Sequence, residues 1–205
     1  MTGSPSLRVL TLPGWQGSGP THWQSRWEVR HGFHRVEQHD WWQPRRGDWM
    51  ARLEEVLLEE GARPERPDPT AAWVGIRPQS HRPTLLVAHS LGCHLVAAWA
   101  AHSGHTARVA GALLVAPPDT GRDDFPPQLH GWRSAVVGSL PFLTTVVAST
   151  DDPWASLAST GRLAQAWGAS LVVAGASGHM NAESGLGDWP AGLTWLQALA
   201  DQATE

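Results

Sequence analysis

Residues 84–92 read Thr-Leu-Leu-Val-Ala-His-Ser-Leu-Gly, and this stretch decides the fold. The apolar run from Thr84 to Ala88 is typical of a strand that is buried on both faces, as in a parallel sheet. An Ala-rich helix, extending to about His102, follows His89-Ser90-Leu91-Gly92 without a spacer. A buried strand that passes directly into a helix indicates an α/β unit.

The same alternation of strand and helix continues outward in both directions. Further strands are predicted at 8–12, 33–38, 109–116, 143–148 and 171–174. Helices are predicted at 20–30, at 48–60 with Asp48 as the N-cap, at 157–167, and over a C-terminal stretch marked by Trp189, Leu193, Leu196 and Leu199. The pattern predicts an α/β fold, namely a three-layer sandwich with a mostly parallel sheet and helices on both faces.

Length and composition favour one domain. The chain has 205 residues, of which 41% are apolar, enough for one sizeable core. We therefore expect a single domain over 1–205, with the Pro- and Arg-rich residues 61–82 as a loop in which 71–76 could pack locally. Between Ala116 and Leu143 there is room for a short excursion but for no full cap domain.

Charge and cysteine content exclude several classes of protein. The net charge of -4 gives no basic face, so we expect no nucleic-acid partner. No apolar run is long enough to cross a membrane, and no basic and apolar leader is recognisable. The single cysteine, Cys93, excludes a disulfide scaffold and a cysteine-based zinc site. These features together predict a cytoplasmic location.

Ser90 is the candidate nucleophile. In Ala88-His89-Ser90-Leu91-Gly92 a serine stands at a strand-to-helix turn with small residues two before and two after it, which is the context of a nucleophile elbow. Ala88 replaces the first glycine of the usual Gly-x-Ser-x-Gly pattern. The alternative is an ordinary serine at a helix N-cap.

A reactive serine needs a base, and the base needs an acid that orients it. His179 follows the last predicted strand, whereas His94 lies on the helix after Ser90 and is expected to point away from the loops. Asp151 and Asp152 both follow the strand that precedes the strand of His179. Either could be the acid, and the spacing does not choose between them. Weaker alternatives for the acid follow an earlier strand, at Asp119, Asp123 and Asp124.

Two backbone N–H groups are candidates for an oxyanion hole. Leu91 begins the helix after the elbow, where N–H groups lack partners. Trp15 follows Gly14 in a loop after the first strand, and Gly14 allows a close approach of the backbone. The alternative is that the glycines of this loop, Gly14 and Gly17, are needed only for the conformation of the turn.

The sequence resembles the small α/β-hydrolase-fold serine hydrolases of the retinoblastoma-binding protein 9/YdeN family. The resembling segments span nearly the whole chain: Leu12-Pro-Gly-Trp15, His22-Trp-Gln24, Val87-Ala-His-Ser-Leu-Gly92, Ser149-Thr-Asp-Asp-Pro153 and Gly178-His-Met-Asn181. In that family the acid is the Asp just before Pro, so the resemblance implies Asp152. It also implies a serine hydrolase.

The pattern favours a compact, open cleft that takes a small ester, thioester or amide. The candidates for lining it are Gly14, Trp15, His89 and Trp132, the last in the excursion with Phe125 and Leu129. No cofactor motif is present, so we expect no cofactor. We also expect no metal, because His22, His31, His34 and His39 lack the spacing of a metal site.

The predicted function is a carboxylesterase-like serine hydrolase (class EC 3.1.1) that forms an acyl-enzyme through Ser90, His179 and Asp152. Two alternatives remain. One is a non-catalytic interaction module that retains the fold, which would imply a protein partner that the sequence itself does not indicate. The other is the same triad used for acyl transfer to an acceptor other than water or for lyase chemistry.

Overall fold

The sheet has six strands, all parallel, in the order β2-β1-β3-β4-β5-β6. The computed structural model describes residues 7–59, 83–133, 136 and 138–204. The strands are β1 (Arg8–Leu12), β2 (His34–Arg35), β3 (Thr84–His89), β4 (Val109–Val115), β5 (Leu143–Ala148) and β6 (Ser170–Val173). The prediction of an α/β fold with a parallel sheet is confirmed.

Strand β3 lies inside the sheet, and all six of its residues are buried. Leu86 is in register with Leu10 of β1 on one side and with Ala112 of β4 on the other. The continuous apolar run at 84–88 is therefore explained by burial on both faces. Strand β6 is the opposite case, since it lies at the edge and its Leu171 and Val173 are exposed.

Five α-helices of the described residues cover the two faces of the sheet. They are α1 (Trp23–His31), α2 (Arg46–Glu59), α3 (Leu91–Ala100), α4 (Leu157–Ala166) and α5 (Pro190–Thr204). Side chains of α2, α3 and α4 share one core with Leu86 and Ala88 of β3. Side chains of α1 and α5 share the other core with Leu85 and Val87. Alternate residues of one strand thus face the two helix layers.

Tryptophan fills much of the core on the α1 and α5 side. The ring centroids of Trp23 lie 4.6 Å from those of Trp27 and 4.8 Å from those of Trp189, and Trp189 lies 5.7 Å from Trp195. The indole N–H of Trp27 donates to the carbonyl of Asp188 at 2.8 Å. Each large ring buries apolar area while its single donor is satisfied. These contacts give a structural use for part of the unusual number of Trp residues, which is 13.

Several predicted boundaries need correction. Helix α2 begins at Arg46, so Asp48 lies inside its first turn and is not the N-cap. The strand predicted over 33–38 is reduced to His34–Arg35.

Between β4 and β5 the described residues contain a short 3-10 helix, Pro127–Trp132, and no cap domain. The loop prediction for 61–82 and the local packing predicted for 71–76 lie outside the described residues.

Candidate active site

Ser90 stands at a strained turn between β3 and α3. Its backbone has φ 53° and ψ -124°, a conformation that is rare for residues other than glycine. Its N–H donates to the carbonyl of Val115 in β4 at 2.9 Å, which ties the turn to the sheet. A Cβ at Gly92 would collide with the carbonyl oxygen of Leu12, so helix α3 reaches the end of β1 because residue 92 has no side chain. The local geometry is that of a nucleophile elbow.

His179 lies in the loop after β6 and connects Ser90 with Asp152. Its Nε2 is 2.9 Å from Ser90 Oγ, and its Nδ1 is 3.0 Å from each carboxylate oxygen of Asp152. The side chains of His179 and Asp152 are 10% and 3% exposed, so water is largely kept from their contact. The three residues come together from the ends of three strands, as expected for an open parallel sheet.

The two neighbouring aspartates have different partners. Asp151 accepts hydrogen bonds from Ser149 Oγ at 2.7 Å and from the N–H of Gly178 at 2.8 Å. These hydrogen bonds, with that from Ser149 the largest cause, lower the pKa of Asp151. Asp152 accepts from the Trp154 N–H at 2.8 Å in addition to His179. Asp151 therefore anchors the loop that carries His179, whereas Asp152 contacts the imidazole itself.

The backbone N–H groups of Leu91 and Trp15 have no hydrogen-bond partner among the described residues. Leu91 is the first residue of α3, so its N–H lies at the positive end of the helix dipole. The loop that carries Trp15 lies close to the elbow, because a Cβ built at Gly14 would be 2.8 Å from Ser90 Cβ and 3.2 Å from the Leu91 nitrogen. Two unpartnered donors thus belong to segments that meet beside Ser90.

A cleft of about 480 Å³ opens above Ser90. Gly14, Trp15 and His89 line it, as the sequence led us to expect. Other residues line the cleft that were not predicted to do so, among them Gln16, His22, Pro118, Trp154, Asn181, Ala182 and Glu183. Of these, His22 and Asn181 belong to segments that carry the resemblance, His22-Trp-Gln24 and Gly178-His-Met-Asn181.

Trp132 does not line the cleft, and its prediction is corrected. It is 2% exposed, packs edge-on against Trp49 at 5.6 Å and donates to the carbonyl of Pro44 at 2.8 Å. Phe125 and Leu129, from the same excursion, do line the cleft. Periodicity alone could not separate these three because a core contact and a cleft wall both require apolar residues.

Two further imidazoles lie in the cleft wall. Burial, with a contribution from Arg35, lowers the pKa of His22 to about 3. Burial likewise lowers the pKa of His89 well below its usual value. Both imidazoles are therefore neutral at pH 7, and the described lining of the cleft contains no arginine. Among the described residues that line the cleft, the acidic side chain is that of Glu183.

Two other residues of α3 serve the core. Nε2 of His94 is 2.8 Å from the carbonyl of Pro118, and burial lowers its pKa to about 4. His94 therefore contacts the loop after β4, and the prediction that it points away from the loops was wrong. Cys93 is buried, and burial raises its pKa well above the usual value, so its thiol stays protonated and unreactive.

The described ranges contain no cluster of three or more His, Cys, Asp or Glu side chains that could hold a metal ion. His22 lies in the cleft wall, whereas His31, His34 and His39 are exposed. Among the helices of the described residues, none has the length and apolar character needed to cross a membrane.

A family model described as serine hydrolase matches residues 9–64 and 60–198. No curated protein matches the chain significantly. Among solved structures, a YdeN-like hydrolase from Pectobacterium atrosepticum is 27% identical, with a TM-score of 0.75 over 98% of this chain and 94% of that one.

Two more distant structures show the same fold. The ydeN gene product of B. subtilis is 21% identical, with a TM-score of 0.68 over 96% of this chain and 100% of that one. A thermophilic esterase from Thermogutta terrifontis is 14% identical, with a TM-score of 0.60 over 98% of this chain and 92% of that one. At these identities the likeness concerns the fold alone.

Proposed function

The chain belongs to the serine hydrolase family, and from this premise we propose that it cleaves a small ester, thioester or amide through an acyl-enzyme on Ser90. One observation carries the proposal: a single imidazole, that of His179, lies within hydrogen-bond distance of both Ser90 Oγ and the Asp152 carboxylate. A nucleophile, a base and an orienting acid in that sequence of contacts constitute a catalytic triad.

In the first half of the reaction, His179 Nε2 accepts the proton of Ser90 Oγ as the oxygen attacks the carbonyl carbon of the substrate. The Nδ1–H of His179 donates to Asp152, which fixes the tautomer and stabilises the imidazolium that forms. The carboxylate needs no proton for this role. Its small exposed fraction, 3%, strengthens the interaction because the local dielectric is low.

The negative charge that develops on the substrate oxygen requires donors that are already in place. The N–H groups of Leu91 and Trp15 would supply them, since both lack other partners among the described residues. The imidazolium of His179 then protonates the leaving group, and the acyl-enzyme remains. A water molecule that His179 deprotonates releases the acid and restores Ser90 Oγ–H.

The cleft supports a small substrate with an apolar acyl or leaving group. Its volume of about 480 Å³ lies in the range of ordinary small-molecule sites. Trp15, Phe125, Leu129 and Trp154 supply apolar wall. A carboxylesterase activity is therefore the first to test. A single domain over residues 1–205 and a cytoplasmic location, which rests on the charge, the apolar runs and the cysteine content together, remain part of the proposal.

The test is covalent labelling with a fluorophosphonate, followed by mass spectrometry to locate the adduct. We expect one adduct on Ser90 in the native protein and none in Ser90→Ala. Labelling in Ser90→Ala at the native rate, or a well-folded native protein that takes up no label, would contradict the proposal. The second result would favour the non-catalytic interaction module.

An ester, thioester and amide panel then gives the preferred bond. Product analysis with an added amine or alcohol separates hydrolysis from acyl transfer, since transfer would put the acyl group on the added nucleophile. Cleavage that leaves no acid product would instead indicate lyase chemistry.

A further inference from the structure

Two consecutive carbonyl groups beside the base are held by side chains from other parts of the fold. The ring nitrogen Nε2 of His89 lies 2.9 Å from the carbonyl oxygen of His179. The indole Nε1–H of Trp23 donates to the carbonyl oxygen of Met180 at 2.7 Å. Both contacts are remote in sequence, and both bear on the short turn that presents the His179 ring to Ser90.

That turn has a backbone that needs support. Gly178 and Met180 both have positive φ, 55° and 48°, and Met180 is not a glycine. A left-handed residue other than glycine is unfavourable and persists only where the surrounding structure holds it. Met180 is fully buried, and its N–H donates to the carbonyl of Ser177 at 3.1 Å. The two side-chain donors hold the carbonyl groups of His179 and Met180 in the same turn.

The identity of the donor on His89 follows from its partner. A carbonyl oxygen only accepts hydrogen bonds, so the Nε2 of His89 carries the proton. The His22 ring packs edge-on against His89 with centroids 4.8 Å apart, and the Trp23 ring is perpendicular to it at 6.1 Å. His89 is 5% exposed. Its ring is thus fixed in place by neighbours from the N-terminal side of α1.

We propose that His89 is a positioning residue, whose Nε2–H holds the His179 main chain so that the His179 imidazole stays within hydrogen-bond distance of Ser90 Oγ. Because His89 precedes Ser90 in the chain, this bond links the nucleophile turn directly to the turn of the base. The inference rests on the proposed triad. It assigns His89 no contact with the reacting atoms.

The test compares two side chains of nearly equal length, one with a donor and one without. In His89→Gln the amide nitrogen reaches about as far from the backbone as imidazole Nε2, so the bond is retained. In His89→Met the shape is similar and the donor is absent. A displacement of about 1 Å at a reacting group costs about 100-fold, so we expect kcat to fall roughly 10- to 100-fold in His89→Met.

The profile of the effect separates positioning from a general structural role. We expect KM to change less than about 2-fold in His89→Met, since His89 is only 5% exposed in the cleft wall and offers the substrate little surface. We expect His89→Gln to keep kcat within about 3-fold of the native value. Native kcat in a folded His89→Met would overturn the inference. So would an equal loss in the Gln and Met variants, because the donor would then not be what matters.

A third variant keeps the test valid if His89→Met fails to fold. His89→Asn is smaller and keeps an amide, but its nitrogen stops about 1 Å short of the carbonyl of His179. It should lose kcat as Met does, whereas native kcat in His89→Asn would overturn the inference.

Failure of the proposed function is distinguishable from failure of this inference. If the native protein neither hydrolyses the panel nor takes up the fluorophosphonate, the triad proposal fails. Crystal structures of the Gln and Met variants still test the positioning role, through the distance between His179 Nε2 and Ser90 Oγ. It should lengthen in His89→Met and stay near the native value in His89→Gln; an unchanged distance in both would overturn the inference.

Discussion

Two histidine–carboxylate pairs within the described part of the chain lie at opposite ends of helix α3. In one, His179 Nδ1 lies 3.0 Å from both oxygens of Asp152. In the other, His105 Nδ1 lies 2.6 Å from Glu54 Oε1. By distance alone the second pair is the closer, and it lies at the far end of α3 from Ser90.

The environments of the two pairs differ. The side chains of His179 and Asp152 are 10% and 3% exposed, whereas those of His105 and Glu54 are 47% and 28% exposed. The other oxygen of Glu54 accepts from Trp99 Nε1 and Ser103 Oγ, so this carboxylate joins α2 to the end of α3. The Nε2 of His179 faces a serine, whereas that of His105 has no partner among the described residues. The candidate catalytic pair is therefore distinguished by the burial of both side chains and by the contact of His179 with Ser90, and not by the shorter distance between histidine and carboxylate.

The largest difference should appear when each imidazole is removed. His179→Ala deletes the proposed base, so we expect kcat to fall by about 10³-fold or more. His105→Ala removes a surface contact and should keep kcat within about 2-fold. Steady-state hydrolysis of one ester by both variants checks this. Comparable losses in the two would abolish the distinction drawn between the pairs.

The next largest difference in kcat should separate the two candidate acids, Asp152 and Asp151. Asp152→Asn leaves a neutral amide beside His179, which cannot stabilise the imidazolium, and kcat should fall by about 10²- to 10⁴-fold. Asp151→Asn disturbs contacts that hold the loop, among them those with Ser149 and Gly178, and should cost about 10-fold or less. Both are measured against the same ester. If Asp151→Asn were the more damaging, the acid would move by one residue.

The buried imidazoles at the active edge should make the fold sensitive to acid. In the folded protein the pKa of His22 is about 3 and that of His94 about 4, both below the usual 6.5. Between the folded pKa and 6.5, each of these histidines therefore binds a proton in the unfolded chain but not in the folded protein. Stability is then lost as pH falls below 6.5. Each such histidine lowers the free energy of unfolding by about 1.4 kcal/mol at pH 5.5.

Urea unfolding at pH 7.5 and 5.5 measures this loss. His94→Gln should reduce it by the share of one histidine, whereas His34→Gln, at an exposed position, should leave it unchanged. The explanation fails if the native protein is equally stable at the two pH values.

The smallest effect is expected at the second pair. Burial by itself would raise the pKa of Glu54, but hydrogen bonds from Trp99, His105 and Ser103 outweigh it and leave the pKa below 4.5. The carboxylate thus stabilises the fold above pH 4.5, and this contribution is lost as pH falls through the lower folded pKa. Glu54→Gln should cost about 1 kcal/mol at pH 7 and nothing in kcat.

Chemical denaturation at pH 7 and pH 3.5 measures the effect, and the difference between native and variant should shrink at the lower pH. A kcat loss in Glu54→Gln would show that the second pair is not independent of the first.

Most of the fold was predictable because its signals are local. A buried apolar run that enters a helix through Ala88-His-Ser-Leu-Gly92 specifies β3, the turn and α3 within nine residues. Short elements were harder: β2 has only two residues, and the start of α2 at Arg46 has no side chain among the favoured N-caps before it. Boundaries of this kind depend on tertiary contacts that periodicity does not report.

Chain order predicted which loops carry the site, and the resemblance implied Asp152, but neither reports how the side chains are oriented. The order of Ser90, an aspartate and His179 on loops after the third, fifth and sixth strands could be found in the sequence, but the two aspartates differ only in which way each side chain points. The contact of His89 with His179 joins residues 90 positions apart, and no spacing encodes it. Trp132 was misplaced since an indole satisfies a core as readily as a cleft wall.

The tryptophan contacts around Trp23 have an optical consequence. Indoles 4.6 to 5.7 Å apart couple electronically, and the excitation of one ring passes readily to the next along Trp27, Trp23, Trp189 and Trp195. Trp23 is also hydrogen-bonded to Met180, next to His179, so we expect the emission of these indoles to change when that turn moves. The protein thus carries intrinsic fluorophores beside its candidate active site, and we expect their emission to follow acylation or ligand entry without a label.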